Sequence, residues 1–97
     1  MEGRFKNKVA LVTGAASGIG RACALAFAHQ GANTVVADVS IEESKETIRL
    51  IDEVGGKGIF FQCDVGNPAA VESLMNKILK SFGKVDYACN NAGIEGV

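Results

Sequence analysis

The stretch Thr13-Gly14-Ala15-Ala16-Ser17-Gly18-Ile19-Gly20 constrains this chain more than any other. It follows an apolar run, Val9 to Val12, of the kind that forms a strand buried on both faces. It opens a helical pattern in which Ile19, Ala22, Cys23, Ala26 and Phe27 fall at spacings of 3.6-residue periodicity and are expected to face inward. Three glycines therefore lie on a strand-to-helix turn.

The first turn of a helix carries N–H groups with no internal partner, and the helix dipole places partial positive charge there. A phosphate satisfies both where no side chain blocks its approach. Gly14 suits the tight turn off the strand, Gly18 the approach of backbone amides to a pyrophosphate, and Gly20 the close packing of helix on strand. Ser17 and Ile19 complete the loop as candidate contacts. The spacing is Gly-x3-Gly-x-Gly, not the Gly-x-Gly-x-x-Gly of the general dinucleotide fingerprint, and a turn that merely connects strand to helix is the plainer alternative.

The rest of the chain alternates strand and helix, the signature of a parallel sheet. Strands are expected at Lys8–Thr13, Asn33–Asp38, Gly58–Cys63 and Val85–Asn90. Helices are expected at Gly18–Gln30, from Ser40 to about Val54, and from Asn67-Pro68 to Phe82. Gly31, Gly55-Gly56 and Gly83 end them. Ser40 with Glu43 three residues on reads as a capping box, and Asn67-Pro68 as an N-cap followed by proline at the first helical position. Ile48 and Ile51 point the second helix inward, and Val71, Leu74, Met75, Ile78 and Phe82 form the stripe of the third. Right-handed crossovers give strand order 3-2-1-4, half of a doubly wound Rossmann-type sheet, with ligands held outside the carboxyl ends of the strands.

Asp38 ends the second strand eighteen residues after Gly20. An acid there accepts from the adenosine ribose hydroxyls and repels a 2′-phosphate, so the choice is NAD over NADP; Ser17 and Val39 supply no base to reverse it. The alternative is an aspartate that only starts a turn with Ser40.

Thr13-Gly14-x3-Gly18-x-Gly20, together with Asn90-Asn91-Ala92-Gly93, resembles the short-chain dehydrogenase/reductase family. The resemblance runs over essentially the whole chain but covers only the cofactor-binding portion of such an enzyme. It implies a single NAD(P)-binding Rossmann domain over residues 1–97, cut before the catalytic part. It implies that Asp64 and the Val65 backbone border the adenine, where a turn before the third helix is an equal alternative for Asp64. It also implies that Asn90, Ala92 and Gly93 line the adenosine ribose and that Thr13 ties the fourth strand to the first, with a purely structural role as likely by the residues alone. The family's tyrosine with a lysine four residues later is not matched: the single tyrosine, Tyr87, is followed at that distance by Asn91 and reads as sheet packing. No catalytic residue is assigned, and the 97 residues alone are expected to be inactive. The longer enzyme would transfer a hydride between nicotinamide and a small alcohol or carbonyl substrate. A non-catalytic nucleotide-binding or interaction module, or half of a Rossmann-like methyltransferase, stands as the competing reading.

Composition narrows the remainder. A net charge of −1 without a basic cluster argues against nucleic acid or an anionic membrane as partner. No apolar run approaches a membrane span, and no metal cluster is read. Cys23, Cys63 and Cys89 form an odd, widely spaced set, read as reduced core thiols of a cytoplasmic protein, with a reactive thiol among them as the alternative. His29 is placed on the surface at the end of the first helix. Tyr87, Ala88 and Cys89 would lie on an open strand edge, so self-association into a homo-oligomer is expected.

Overall fold

The computed structural model describes residues 3–91. Four strands, β1 (Val9–Thr13), β2 (Asn33–Asp38), β3 (Lys57–Gln62) and β4 (Tyr87–Asn90), alternate with three helices, α1 (Gly18–His29), α2 (Ile41–Glu53) and α3 (Pro68–Phe82). All pairings are parallel and the order is β3-β2-β1-β4, the expected Rossmann-type half-sheet. Element ends move by one or two residues from the sequence expectation. The largest shift is at β4, which begins at Tyr87 rather than Val85.

The two-residue alternation of the strands divides the core. Val9, Leu11, Val35 and Ala37 face one side, where α3 covers them with Leu74 and Ile78. Val12 and Val36 face the other and meet Ala24 and Ala28 of α1 and Ile51 of α2. Helices thus cover both faces, which is why β1 and β2 read as continuous apolar runs.

Helix ends follow the sequence where glycine is involved: Gly31, Gly55 and Gly83 all have positive φ. Asn67 caps α3 by accepting from the N–H groups of Ala69 and Ala70, with Pro68 first in the helix. Two expectations need correction. Ser40 makes no side-chain cap on α2; its own N–H instead donates to Asp38 Oδ1 at 2.9 Å. The inward face of α1 is also not the one expected. Ile19 is 62% exposed, and Ala22 and Ala26 are exposed too, while the buried residues are Gly20, Ala24 and Ala28. The helix lies so close to the chain beneath it that its smallest residues face inward, and side-chain size overrides hydropathy.

Tyr87 opens β4 and packs edge-on against Phe5 at 5.1 Å and beside Phe27 at 5.7 Å, the sheet-packing role expected of it. His29 closes α1 on the exposed surface. Among the described residues no helix is long and apolar enough to cross a membrane.

The β1–β4 pairing is extended by a side chain. The Asp86 N–H donates to the Val9 carbonyl at 2.8 Å, and the Val9 N–H donates back to Asp86 Oδ2 at 2.8 Å. That bond first, and then the Lys84 ammonium at 3.2 Å, holds the Asp86 carboxyl below its usual range. A carboxyl depressed in the folded state contributes stability that is full above its unfolded value, about 3.9, and is lost as pH falls through the folded value. Asp86→Asn should therefore flatten the acid limb of the stability profile below about pH 4. Urea titrations across that range check it; identical acid limbs would refute it.

Candidate functional site

β1 is the strand at which the sheet changes direction, with β2 and β3 on one side and β4 on the other. The glycine loop leaves β1 at this point. Gly14 turns with φ of 64°, donating its N–H to the Ala37 carbonyl at 3.0 Å, and Gly18 enters α1 with φ of 58°. Both lie in the left-handed region that glycine occupies without penalty. A Cβ on Gly20 would stand 1.8 Å from the Gly14 carbonyl oxygen, so α1 seats directly on the loop only because Gly20 has no side chain. Ser17 precedes the helix in extended backbone and makes no side-chain cap, and the first turn of α1 contains no acid. The helix N-terminus therefore faces outward with its donors and partial positive charge uncapped by side chains, an arrangement suited to an anion.

Asp38 stands across the loop at the end of β2. Oδ2 accepts from the Ala16 N–H at 3.3 Å and Oδ1 from the Ser40 N–H at 2.9 Å. The turn with Ser40, one of the two readings of Asp38, is present, and the same carboxylate also holds the loop through Ala16. A carboxylate has about four acceptor directions, so each oxygen keeps capacity for a ligand hydroxyl. Val39, just beyond, is 57% exposed, so it and Ile19 set apolar surface beside the polar loop.

At the end of β4, Thr13 Oγ donates to Asn90 Oδ1 at 2.9 Å, and the Asn91 N–H donates to the Thr13 carbonyl at 3.2 Å. This is the expected tie between the first and fourth strands. Asn91 is buried and Asn90 exposed, so only the latter offers its amide outward. Asp64 Oδ1 accepts from the Gly66 N–H at 2.9 Å, the turn geometry that was one of its two readings. Val65 is half-buried against the α3-side core. It lines, with Leu11, Thr13, Val71, Ala88, Cys89 and Asn90, an open cleft of about 280 Å³ at the carboxyl ends of β1 and β4. Ala92 and Gly93 lie outside the described residues. A depression of similar size at the opposite ends of the strands, beside Lys6, Gly31, Gly55 and Lys57, receives the carboxyl ends of α1 and α2 and lacks the loop's outward donors.

Loop, strand order and strand-end acid thus stand together. Residues 8–97 match the family described as short chain dehydrogenase. The chain belongs to the short-chain dehydrogenase family. It is 48% identical over 94 residues to the 3beta-hydroxysteroid dehydrogenase of Mediterraneibacter gnavus, a match covering 97% of this chain and 34% of that enzyme. It is 44% identical over 90 residues to an uncharacterized oxidoreductase of Thermotoga maritima, covering 93% of this chain and 35% of that protein. The crystal structure of a hydroxysteroid dehydrogenase from Escherichia coli superposes with a TM-score of 0.86 at 32% identity, covering 90% of this chain and 37% of that one. A metagenomic short-chain oxidoreductase in complex with NADP superposes with a TM-score of 0.84 at 30% identity, covering 87% and 38%. This short-chain dehydrogenase chain spans about a third of the length of the curated relatives it matches.

Sequence reasoning missed two residues that shape the short-chain dehydrogenase loop. Thr47 of α2 is fully buried, and its hydroxyl lies 2.9 Å from the Ala15 carbonyl and 3.3 Å from that of Ala16. Arg21 of α1 donates Nε to the same hydroxyl at 2.9 Å and Nη2 to the Glu43 carbonyl at 3.0 Å. The one hydroxyl proton thereby holds the Ala15 carbonyl, and less closely that of Ala16, from the inner side of the loop. A threonine amid Ile48 and Ile51 gives one signal, a polar position on a helix's inward stripe, but its partner lies some thirty residues away.

Proposed function

We propose that this chain is the NAD-binding half of an oxidoreductase that moves a hydride between nicotinamide and an alcohol or carbonyl substrate. The observation that carries the reading is the pairing of an uncapped, acid-free α1 N-terminus with the Asp38 carboxylate fixed across the loop by two backbone N–H groups. Ser17, Gly18 and Ile19 would hold the pyrophosphate by backbone N–H groups, on the turn that Gly14 makes and the close helix packing that Gly20 permits, and Asp38 would accept from the adenosine ribose hydroxyls. Asp64 and Val65 would border the adenine, and Asn90, with Ala92 and Gly93, the ribose. When bound, the dinucleotide supplies the hydride acceptor or donor; the residues named here bind and orient it. Tyr87 packs against Phe5 and Phe27, so these 97 residues are proposed to bind cofactor without turning substrate over. A cytoplasmic location and a homo-oligomeric state belong to the same proposal.

NAD is preferred because a 2′-phosphate would meet a carboxylate with no base at Ser17 or Val39. Losing hydrogen bonds to a charged group costs about 1.5–3 kcal/mol, so Asp38→Ala should weaken NAD binding roughly ten- to hundredfold and relax discrimination against NADP. Calorimetric titration of both dinucleotides into both proteins is the test. Equal affinity of the unmodified chain for NAD and NADP would defeat the assignment of Asp38, and tighter binding of S-adenosylmethionine than of either would defeat the whole reading.

A further inference from the structure

The two cysteines that sequence spacing set 66 residues apart meet in the fold. Cys23 of α1 and Cys89 of β4 bring their sulfurs to 3.5 Å, on the face of the sheet opposite α3. Both are half-buried, whereas Cys63, on the α3 side, is buried. The Asn91 side-chain amide donates to the Cys89 sulfur at 3.2 Å. We propose that Cys23 and Cys89 form a peroxide-oxidisable thiol pair, an intramolecular disulfide site joining α1 to β4.

The chemistry needs a two-electron oxidant, here hydrogen peroxide. The Cys89 sulfur attacks one peroxide oxygen, the O–O bond breaks, and the departing hydroxide leaves as water with the thiol proton. Cys89 is then a sulfenic acid. The Cys23 sulfur attacks the Cys89 sulfur, the S–O bond breaks, and a second water leaves with the Cys23 proton. Two thiols and one peroxide become one disulfide and two waters. The Asn91 donor lies against the sulfur that attacks in the first step. Burial, and then the neighbouring Cys89, pushes the Cys23 thiol up, which suits it to the second step, as the sulfur that resolves rather than initiates. Disulfide sulfurs sit about 2 Å apart, so the pair must close by roughly 1.5 Å. The bond would fasten the helix that starts at the glycine loop to the strand that ends at Asn90, but it does not depend on what the loop binds.

The experiment treats the 97-residue chain with stoichiometric hydrogen peroxide and quenches it with an alkylating reagent. Free thiols should fall from three to one, and the intact mass should drop by two hydrogens. A proteolytic map should join the peptides of Cys23 and Cys89, and dithiothreitol should restore all three thiols. Cys89→Ser should lose no hydrogens, and Cys23→Ser should gain a single oxygen at Cys89. Three surviving thiols would overturn the proposal. So would a disulfide that includes Cys63 or joins two molecules, or uptake of oxygen by the unmodified chain without a cross-link.

Discussion

Gly20→Ala should unfold this chain at markedly lower temperature and abolish dinucleotide binding. The added methyl would lie 1.8 Å from the Gly14 carbonyl oxygen, 2.6 Å from the Gly14 carbonyl carbon and 3.1 Å from Ala15 Cα. All three are backbone atoms, so no side-chain rotation relieves the contact. Either α1 lifts from the sheet, opening the packing of Ala24 and Ala28, or the loop moves and the N–H groups at the start of α1 lose their common direction. Overpacking of this kind costs about 3 kcal/mol or more, which for a domain of this size lowers Tm by roughly 12 °C or more. A thermal melt and an NAD titration check it, and a variant that melts and binds like the unmodified chain would remove Gly20 from the account of the site. The ordinary expectation for glycine-to-alanine within a helix is the reverse, a gain of about 1 kcal/mol, so the sign alone is informative.

Thr47→Val is the second large effect. Valine has the shape of threonine without the hydroxyl, so the packing of α2 survives while the carbonyls of Ala15 and Ala16 and the Arg21 Nε lose their shared partner. A buried polar group left unsatisfied costs about 1–3 kcal/mol. The loop, no longer held from behind, must then be ordered by its ligand, at about tenfold in affinity for each 1.4 kcal/mol. Thr47→Ser keeps the hydroxyl and should restore most of the affinity. If valine leaves both melting temperature and NAD affinity unchanged, the buried hydroxyl does not organise the loop.

The half of the site that was legible in the sequence is the half written in local chemistry. Gly14 and Gly18 need positive φ, Asn67-Pro68 needs only its own helix, and the apolar runs of β1 and β2 announce burial on both faces. Parallel order then follows from topology, and with it the meeting of loop and Asp38 at one end of the sheet. What was not legible depends on distances across the fold. Helical periodicity put Ile19 inside, yet the separation of α1 from the chain beneath admits only glycine and alanine there. Ser40 was read as a cap from its spacing to Glu43, but the Asp38 carboxylate was nearer to the Ser40 N–H and took it. Thr47 and the Cys23–Cys89 meeting are contacts between elements, and no window along the chain contains both partners.

The side-chain extension of the β1–β4 ladder carries a cost that sets the two flanks of β1 apart. Asp86 reaches Val9, and Thr13 reaches Asn90, each across 77 residues of chain. The β2 flank closes through α1 alone. Loop entropy grows with the logarithm of length, so the β4 flank begins about 1 kcal/mol behind. The carboxylate on Val9 and the hydroxyl on Asn90 fall on that long-range seam, and the Cys23–Cys89 contact ties β4 to α1 beside it. Coupling between the two ends of the chain therefore runs through a few polar and thiol groups in addition to the strand pairing and the Tyr87 ring contacts, and the seam is where a single proton or a single oxidation event can be felt by the sheet as a whole.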